Sequence, residues 1–193
     1  IMLGQGSLSP VYMGAGNLAA SSGTIAFWLQ PLDWDNLTRD NRFDKINPTS
    51  FGIFQIDGEY AEGSYDRNFG KAGPLVEFNV VMHMDEGVEN PVEFAPGRWT
   101  HIAMTWEGTS FKYFVDGIPR DPDGAWNLWL PIYPGHDPRN PPKPEWWLNS
   151  KPLAIRFGER RYWDQLKLPA PHSAIDDFRV YGRSLSPSEV LNL

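Results

Sequence analysis

Hydrophobic and polar residues alternate with a period of two in several short segments of the chain. In residues 100–106 large apolar side chains occupy every second position, and residues 111–115 repeat this pattern with aromatic and β-branched side chains. Such alternation is typical of β-strands that bury one face. The glycine-centred segment Glu107-Gly108-Thr109 separates the two, as a tight hairpin requires. The sequence therefore predicts a β-hairpin that supplies several large side chains to one core.

Further strands are predicted before and after this hairpin, and a short helix is predicted at the C-terminal end. The predicted strands are residues 24–30, 51–56 (closed by a turn at Asp57-Gly58), 75–85, 153–159 and 174–181. Ser186-Pro187-Ser188-Glu189 has the residues of a capping box with proline in the first helical turn. The expected fold is all-β, a two-sheet antiparallel jelly-roll sandwich followed by a short helix.

The composition changes after the hairpin. Residues 119–152 hold nine of the eighteen prolines and four of the nine tryptophans. Such proline density excludes an ordinary helix or central strand, whereas the aromatic content is unlike that of a disordered segment. We therefore predict one domain spanning residues 1–193, with an ordered insertion at about 119–152 that folds over the sandwich.

Charge and composition narrow the classes of partner. The formal net charge is −7 and the pI is about 5, which argues against a nucleic-acid partner and an anionic membrane surface. The chain has no cysteine, so disulfides and thiolate metal sites are excluded. No apolar run has transmembrane length. The opening Ile1-Met2-Leu3 suggests a mature form or an excised piece of a longer protein.

Three segments resemble the laminin-G-like domains of the concanavalin A-like lectin/glucanase superfamily. Residues 96–117, PGRWTHIAMTWEGTSFKYFVDG, match in order the family's Pro-Gly, Trp, His, Thr-aromatic and Asp-Gly positions. Residues 23–31 are similar to the family's "FTISAWVKP", and residues 174–190 to its ending "IDEVRIYNRALSxxEI". The resemblance extends over about residues 11–193 and implies the concanavalin A-like sandwich. On this basis Trp99, Trp106 and His101 are interpreted as scaffold.

The resemblance also implies a calcium site. Many family members hold Ca²⁺ with the acidic residue that opens the last strand, here Asp176, with Asp177 adjacent. The family's N-terminal Phe-Asp-Gly acid has no counterpart in residues 1–6, and calcium prefers six to eight oxygen ligands. The alternative is that both carboxylates accept backbone N–H bonds where the strand starts.

A glycoside hydrolase is one alternative, because some members of the superfamily are hydrolases. The nearest imitation of their paired carboxylates is the polar face of residues 75–85, with Glu77, Asn79, His83 and Asp85. Glu77 and Asp85 would lie roughly 27 Å apart along a strand, too far for an acid–base pair. A solvated polar sheet face is the favoured interpretation.

Sugar binding is the function with most physical support in the sequence. A pyranose stacks its apolar C–H face on an aromatic ring, while its hydroxyl groups need polar side chains nearby. Two segments combine both residue types. The candidate platforms and hydrogen-bonding residues are Trp129, Trp146, Trp147, Tyr162 and Trp163 with Asn149, Arg160, Arg161 and Asp164. The alternative is that the tryptophans anchor the insertion onto the sandwich.

We therefore predict a non-catalytic, carbohydrate-binding recognition module from a larger extracellular, cell-surface or periplasmic protein. Its expected partner is a glycan, with structural Ca²⁺ as a candidate cofactor. Two alternatives stay open: a polysaccharide-active hydrolase or lyase, and a structural domain whose insertion docks onto a neighbouring domain or subunit.

Overall fold

The computed structural model describes residues 2–3, 11–13, 17–35, 50–59, 72–81, 93–120, 148–157 and 172–193. These residues form β-strands and one short helix. The strands are β1 (Met2–Leu3), β2 (Val11–Met13), β3 (Ser22–Pro31), β4 (Ser50–Glu59), β5 (Ala72–Val81), β6 (Thr100–Glu107), β7 (Ser110–Val115), β8 (Ile118–Arg120), β9 (Lys151–Phe157) and β10 (Ser173–Tyr181), and the helix is α1 (Pro187–Leu191). Within these ranges, no helix is long and apolar enough to cross a membrane.

The strands form two antiparallel sheets, which we call sheet A and sheet B. Sheet A has the order β1-β10-β3-β6-β7-β8, and sheet B the order β2-β9-β4-β5. The predicted hairpin is the β6–β7 pair, with Glu107 opposite Ser110. The expectation of a two-sheet, all-β sandwich is confirmed. Residues 82–85 and 158–159, predicted as strand ends, lie outside the described residues.

One predicted strand boundary is wrong. The Asp57-Gly58 pair was expected to turn the chain after Ile56, but β4 continues through it to Glu59. Both residues stay paired with the neighbouring strands β5 and β9, with a register shift at this point on each side. A β-bulge tolerates Gly inside a strand, so the turn signal here marks an irregularity rather than an end.

The inner faces of the two sheets meet in an aromatic core. Phe27 on β3 contacts Phe54 on β4 at 5.7 Å between ring centroids and Phe157 on β9 at 6.1 Å, both edge-on. Edge-to-face rings at this spacing are favourable beyond the area they bury. Trp106 is fully buried, and its indole N–H donates to the carbonyl of Ala19 at 2.8 Å. Burial of these large rings holds sheet A on sheet B.

The outer face of sheet A has a second, smaller apolar cluster. Its members are Ala26, Ala103, Phe114, Leu185 and Val190. The two alanines leave room for the chain that follows β10 to lie on the sheet, and α1 contributes Val190. The predicted capping box is confirmed: the hydroxyl of Ser186 accepts from the backbone N–H of Glu189, and the Glu189 carboxylate accepts from that of Ser186. This segment therefore covers part of the outer face of sheet A.

Candidate functional site

Of the residues predicted to bind sugar, Asn149 is described and is exposed just before β9. The others lie outside the described part of the chain, within residues 121–147 or 158–171; they are Trp129, Trp146, Trp147, Arg160, Arg161, Tyr162, Trp163 and Asp164. Their connections to the fold are nevertheless defined. The first segment leads into the start of β9, and the second leaves from its end, roughly 20 Å away at about 3.3 Å per residue. β9 therefore lies between the two attachment points.

A polar cluster lies on this outer face of sheet B. Phe54 and Ile56 point into the core, so Gln55 between them points outward. The carboxylate of Asp57 accepts two hydrogen bonds: from the side-chain amide of Gln55 at 2.6 Å and from Nε–H of Arg156 on β9 at 3.1 Å. We call these three residues, Gln55, Asp57 and Arg156, the Gln55 network.

The Gln55 network is withdrawn from water to an extent that is unusual for a sheet's outer face. Gln55 is 1% exposed, and the side chains of Asp57 and Arg156 are 17% and 21% exposed. A second ion pair between the same strands, Lys151–Glu59, is ordinary by comparison, with 75% and 49% exposure. Burying charged groups costs free energy unless their hydrogen bonds are satisfied. The low exposure of the charged groups in this network therefore needs an explanation.

One atom of the network has no hydrogen-bond partner. Oε1 of Gln55 is buried and unpaired, although the amide nitrogen of the same side chain is bonded. The amide is oriented by its contact with Asp57, since its N–H₂ group donates to a carboxylate oxygen there and reversal would place two oxygens against each other. A buried unsatisfied oxygen costs about 1–3 kcal/mol. The cluster therefore lacks one hydrogen-bond donor.

The strand register pairs β4 with a neighbour on each side. Gln55 is opposite Arg156 on β9 and opposite Glu77 on β5. Sequence reasoning had selected Glu77 and Asn79 as a polar row but missed Gln55, Asp57 and Arg156. The sequence signal that could identify these three residues is the alternation of apolar and polar side chains in residues 54–57 and 153–157. His83 and Asp85, from the same interpretation, lie outside the described residues.

The predicted calcium residues lie at a bulge in β10. The pairing of β10 with β3 shifts between Asp176 and Arg179, and Asp177 has a φ of 47°. The two carboxylate oxygens of Asp177 accept from Arg179 at 2.9 and 2.6 Å. The Asp176 carboxylate accepts the backbone N–H of Asp177 at 2.9 Å. Both carboxylates thus already have donors.

These contacts do not test calcium binding at Asp176 and Asp177, which stays a prediction. In the described ranges, no group of three or more His, Cys, Asp or Glu residues is arranged to hold a metal ion. The two carboxylates do not provide the six to eight oxygens that calcium prefers, and Asp177 is engaged by a guanidinium. A site here would need further ligands.

The three residues interpreted as scaffold have different environments. Trp106 is fully buried in the core. His101 is 5% exposed, and its ring packs on that of Trp28 at 5.1 Å. Desolvation lowers the pKa of His101; Asp116 and Asp177 oppose this effect, and Arg179 adds to it. Trp99, by contrast, is 39% exposed, so it lies outside the buried core and its role as scaffold stays a prediction.

The fold and the sequence together define the family. The Laminin_G_3 model of the concanavalin A-like lectin/glucanases superfamily matches residues 5–124, more than half of the chain. The chain belongs to this superfamily. No curated protein sequence matches it.

Solved structures of similar fold include carbohydrate-active proteins. One is Trypanosoma rangeli sialidase in complex with 2,3-difluoro-KDN, with a TM-score of 0.51 and 11% identity over 98% of this chain and 26% of the sialidase chain. Another is domain 4 of a GH43 extracellular arabinanase from Geobacillus stearothermophilus in complex with arabinotriose, with a TM-score of 0.46 and 14% identity over 97% of this chain and 81% of that chain. At these identities the sialidase likeness supports the fold alone. The chain spans about a quarter of that sialidase.

Proposed function

We propose that this chain is a non-catalytic recognition module that binds carbohydrate on the outer face of sheet B. The Gln55 network carries the proposal, because it is a hydrogen-bonded set of amide, carboxylate and guanidinium groups whose charged members, Asp57 and Arg156, stay 17% and 21% exposed. These are the side chains that suit sugar hydroxyl groups. Held in place by one another, they would bind a ligand with little further ordering.

The two aromatic segments are proposed to complete the site. Each joins one end of β9, the strand that carries Arg156. In this arrangement their rings stack on sugar faces while the Gln55 network binds the hydroxyl groups between them. The proposed ligand residues of the segments are Trp129, Trp146, Trp147, Arg160, Tyr162, Trp163 and Asp164.

The proposal extends to the ligand class and the setting of the module. With a net charge of −7, long-range electrostatics favour a neutral glycan over a polyanionic one. Within the Gln55 network, the charges of Arg156 and Asp57 cancel. The network itself therefore does not alter this preference for a neutral glycan. We place the module in an extracellular, cell-surface or periplasmic protein, where polysaccharides are the natural partners.

A panel of immobilised glycans tests the proposal. The wild type is expected to bind a neutral glycan, and Arg156→Met, Trp146→Ala and Trp163→Ala should each weaken that binding at least about tenfold. Two controls are matched by residue type. Lys151→Met alters the exposed ion pair on the same strand, and Trp99→Ala removes an exposed indole just before β6; both should bind like the wild type.

Two results would replace the proposed function. Release of reducing ends or of unsaturated products from a polysaccharide would identify the chain as an enzyme. Failure to bind any glycan, together with association with a neighbouring domain of the parent protein, would identify an interaction domain.

Structural calcium is a separate part of the proposal, with Asp176 and Asp177 contributing ligands. A ligand that binds only the native state must stabilise it, by about 2.7 kcal/mol at a hundredfold excess over Kd. Thermal unfolding with added CaCl₂ should therefore show a higher Tm than with EDTA. Equal Tm values in the two conditions would exclude the calcium site.

A further inference from the structure

The carboxylate of Asp57 is the acceptor of the Gln55 network that stays partly accessible. Its side chain is 17% exposed, whereas Gln55 is 1% exposed. Oδ1 of Asp57 accepts from the side-chain amide of Gln55 at 2.6 Å, and Oδ2 accepts from Nε–H of Arg156 at 3.1 Å. Each carboxylate oxygen can accept two hydrogen bonds, so each retains capacity for one further donor.

The same two contacts hold this carboxylate in a fixed direction. Gln55 lies on the same strand as Asp57, and Arg156 lies on the neighbouring strand β9, so one donor holds each oxygen. The pairing of β4 with both of its neighbours shifts at Asp57, and such a bulge re-aims the side chains beside it. Two acceptors that are already held in place lose little conformational freedom when a ligand binds.

The charges around Asp57 restrict the groups that can donate to it. The Arg156 guanidinium, bonded to Oδ2, disfavours an ammonium group or a metal ion by like-charge repulsion. The carboxylate itself disfavours a ligand carboxylate, sulfate or phosphate for the same reason. Two neutral donors side by side avoid both conflicts. Adjacent hydroxyl groups of a sugar ring in the gauche arrangement are such a pair, because both O–H bonds can point in one direction.

We infer that the Asp57 carboxylate binds two adjacent free hydroxyl groups of a neutral sugar, one hydroxyl group on each oxygen. The inference rests on the proposed function and deepens it to a ligand class. A glycan whose adjacent hydroxyl groups are linked, acetylated or methylated offers no pair of donors, and trans-diaxial hydroxyl groups point apart. The module rejects such sugars, because a carboxylate that the ligand shields from water would be left with unpaired acceptors.

Matched substitutions on β4 separate this contact from the general charge of the surface. Asp57→Asn keeps the shape of the side chain but replaces one acceptor oxygen by an amide group that donates, so it cannot accept from two hydroxyl groups. Glu59→Gln is the control. It makes the same chemical change two residues along the strand, in a carboxylate that is bonded to Lys151 and 49% exposed. Thermal unfolding of both variants shows that the comparison is made between folded proteins.

The measurement is isothermal titration at pH 7 with arabinotriose, xylotriose, cellotriose, mannotriose and galactotriose. For the sugar that binds the wild type most tightly, Asp57→Asn should weaken binding at least about tenfold, because hydrogen bonds to a charged acceptor are stronger than those to a neutral one. Glu59→Gln should stay within about threefold of the wild type.

Monodeoxyfluoro analogues of the same sugar identify the hydroxyl groups concerned. Fluorine occupies a similar space but cannot donate a hydrogen bond. Two analogues, modified at adjacent ring positions, should each bind the wild type at least about tenfold more weakly than the parent sugar. For Asp57→Asn, the loss at each of these positions should be at least about threefold smaller. This non-additivity in a double-mutant cycle is the signature of a direct contact.

The outcomes distinguish this inference from the proposed function. If a sugar binds the wild type and Asp57→Asn with equal affinity, or if the two coupled positions are not adjacent, the inference is wrong while glycan binding stands. If Asp57→Asn loses affinity without coupling to any analogue, Asp57 acts only by orienting Arg156, and the inference is again wrong. If none of the sugars binds the wild type while other glycans also fail, the proposed function falls, and the inference with it.

Discussion

The outer faces of the two sheets follow the same alternation of residues yet have opposite chemistry. Sheet A is partly covered by the chain after β10, which buries Leu185 and Val190 against Ala26, Ala103 and Phe114. On sheet B, the outward positions of β4 and β9 carry the Gln55 network instead. One face is closed by apolar packing, and the other is built from polar groups.

Two buried polar side chains on the outer faces differ in their hydrogen bonds. Where the C-terminal segment crosses sheet A, the hydroxyl of Thr24 donates to the carbonyl of Arg183 and accepts from the N–H of Leu185, each at 2.9 Å. Both of its hydrogen-bonding roles are used. On sheet B, Gln55 is as deeply buried as Thr24 but leaves its oxygen unpaired. Buried atoms without a partner also occur on sheet A, where they include the hydroxyl groups of Thr100, Thr105 and Tyr113.

The largest expected effect on stability comes from removing apolar packing between sheet A and the C-terminal segment that covers it. Phe114→Ala removes a ring that is 1% exposed between sheet A and α1. Loss of its packing should lower the free energy of unfolding by about 3–5 kcal/mol. Urea denaturation followed by tryptophan fluorescence measures this change. A loss below about 1 kcal/mol would show that the C-terminal segment does not close the face.

A smaller effect is expected from the ion pair on the polar face. Asp57→Asn removes the charge that faces Arg156 at 3.1 Å in a half-buried setting and should cost about 1–2 kcal/mol of stability. Glu59→Gln alters the exposed pair with Lys151 on the same two strands and should cost less than about 0.5 kcal/mol. Equal losses in urea denaturation would contradict the difference in burial.

Removing the N-cap of α1, on the outer face of sheet A, should lower the free energy of unfolding by a similar amount. Ser186→Ala removes the hydroxyl that accepts from the backbone of Glu189. The free energy of unfolding should fall by about 1 kcal/mol, and glycan binding on sheet B should stay unchanged. A change in affinity larger than about twofold would show that the two faces are coupled.

The smallest effect concerns pH. The folded-state pKa of His101 is below its usual value of 6.5, mainly because burial disfavours the imidazolium ion. The unfolded state therefore binds the proton more readily, and stability should decrease as the pH falls below about 6.5. His101→Gln should remove this part of the pH dependence in unfolding experiments between pH 8 and pH 5. An unchanged slope would mean that other groups cause it.

Alternation predicted the fold because each central strand buries one side of a sheet. The same rule could not identify the site. It assigns Gln55 to an outward face, but whether that position is wet or buried depends on residues far away in the chain. Asp57 was hidden for another reason, since Asp57-Gly58 has the composition of a turn and the bulged strand continues through it.

The tryptophans of the hairpin illustrate the same limit. Trp99 and Trp106 belong to one motif, yet the first is 39% exposed and the second fully buried. Trp106 lies inside β6 between the sheets, and Gly23 leaves the space that its indole fills. Trp99 directly precedes β6 and is not part of the buried core. Only the packing distinguishes a core residue from a surface one.

The central claim is that the outer face of sheet B, and not that of sheet A, binds the glycan. Titration of the ¹⁵N-labelled protein with the oligosaccharide that binds most tightly, followed by heteronuclear NMR, tests this directly. We expect the largest shift changes at the side-chain amide of Gln55 and along β4 and β9. Changes confined to Trp28, Trp99 and the neighbouring part of β6 would contradict the account.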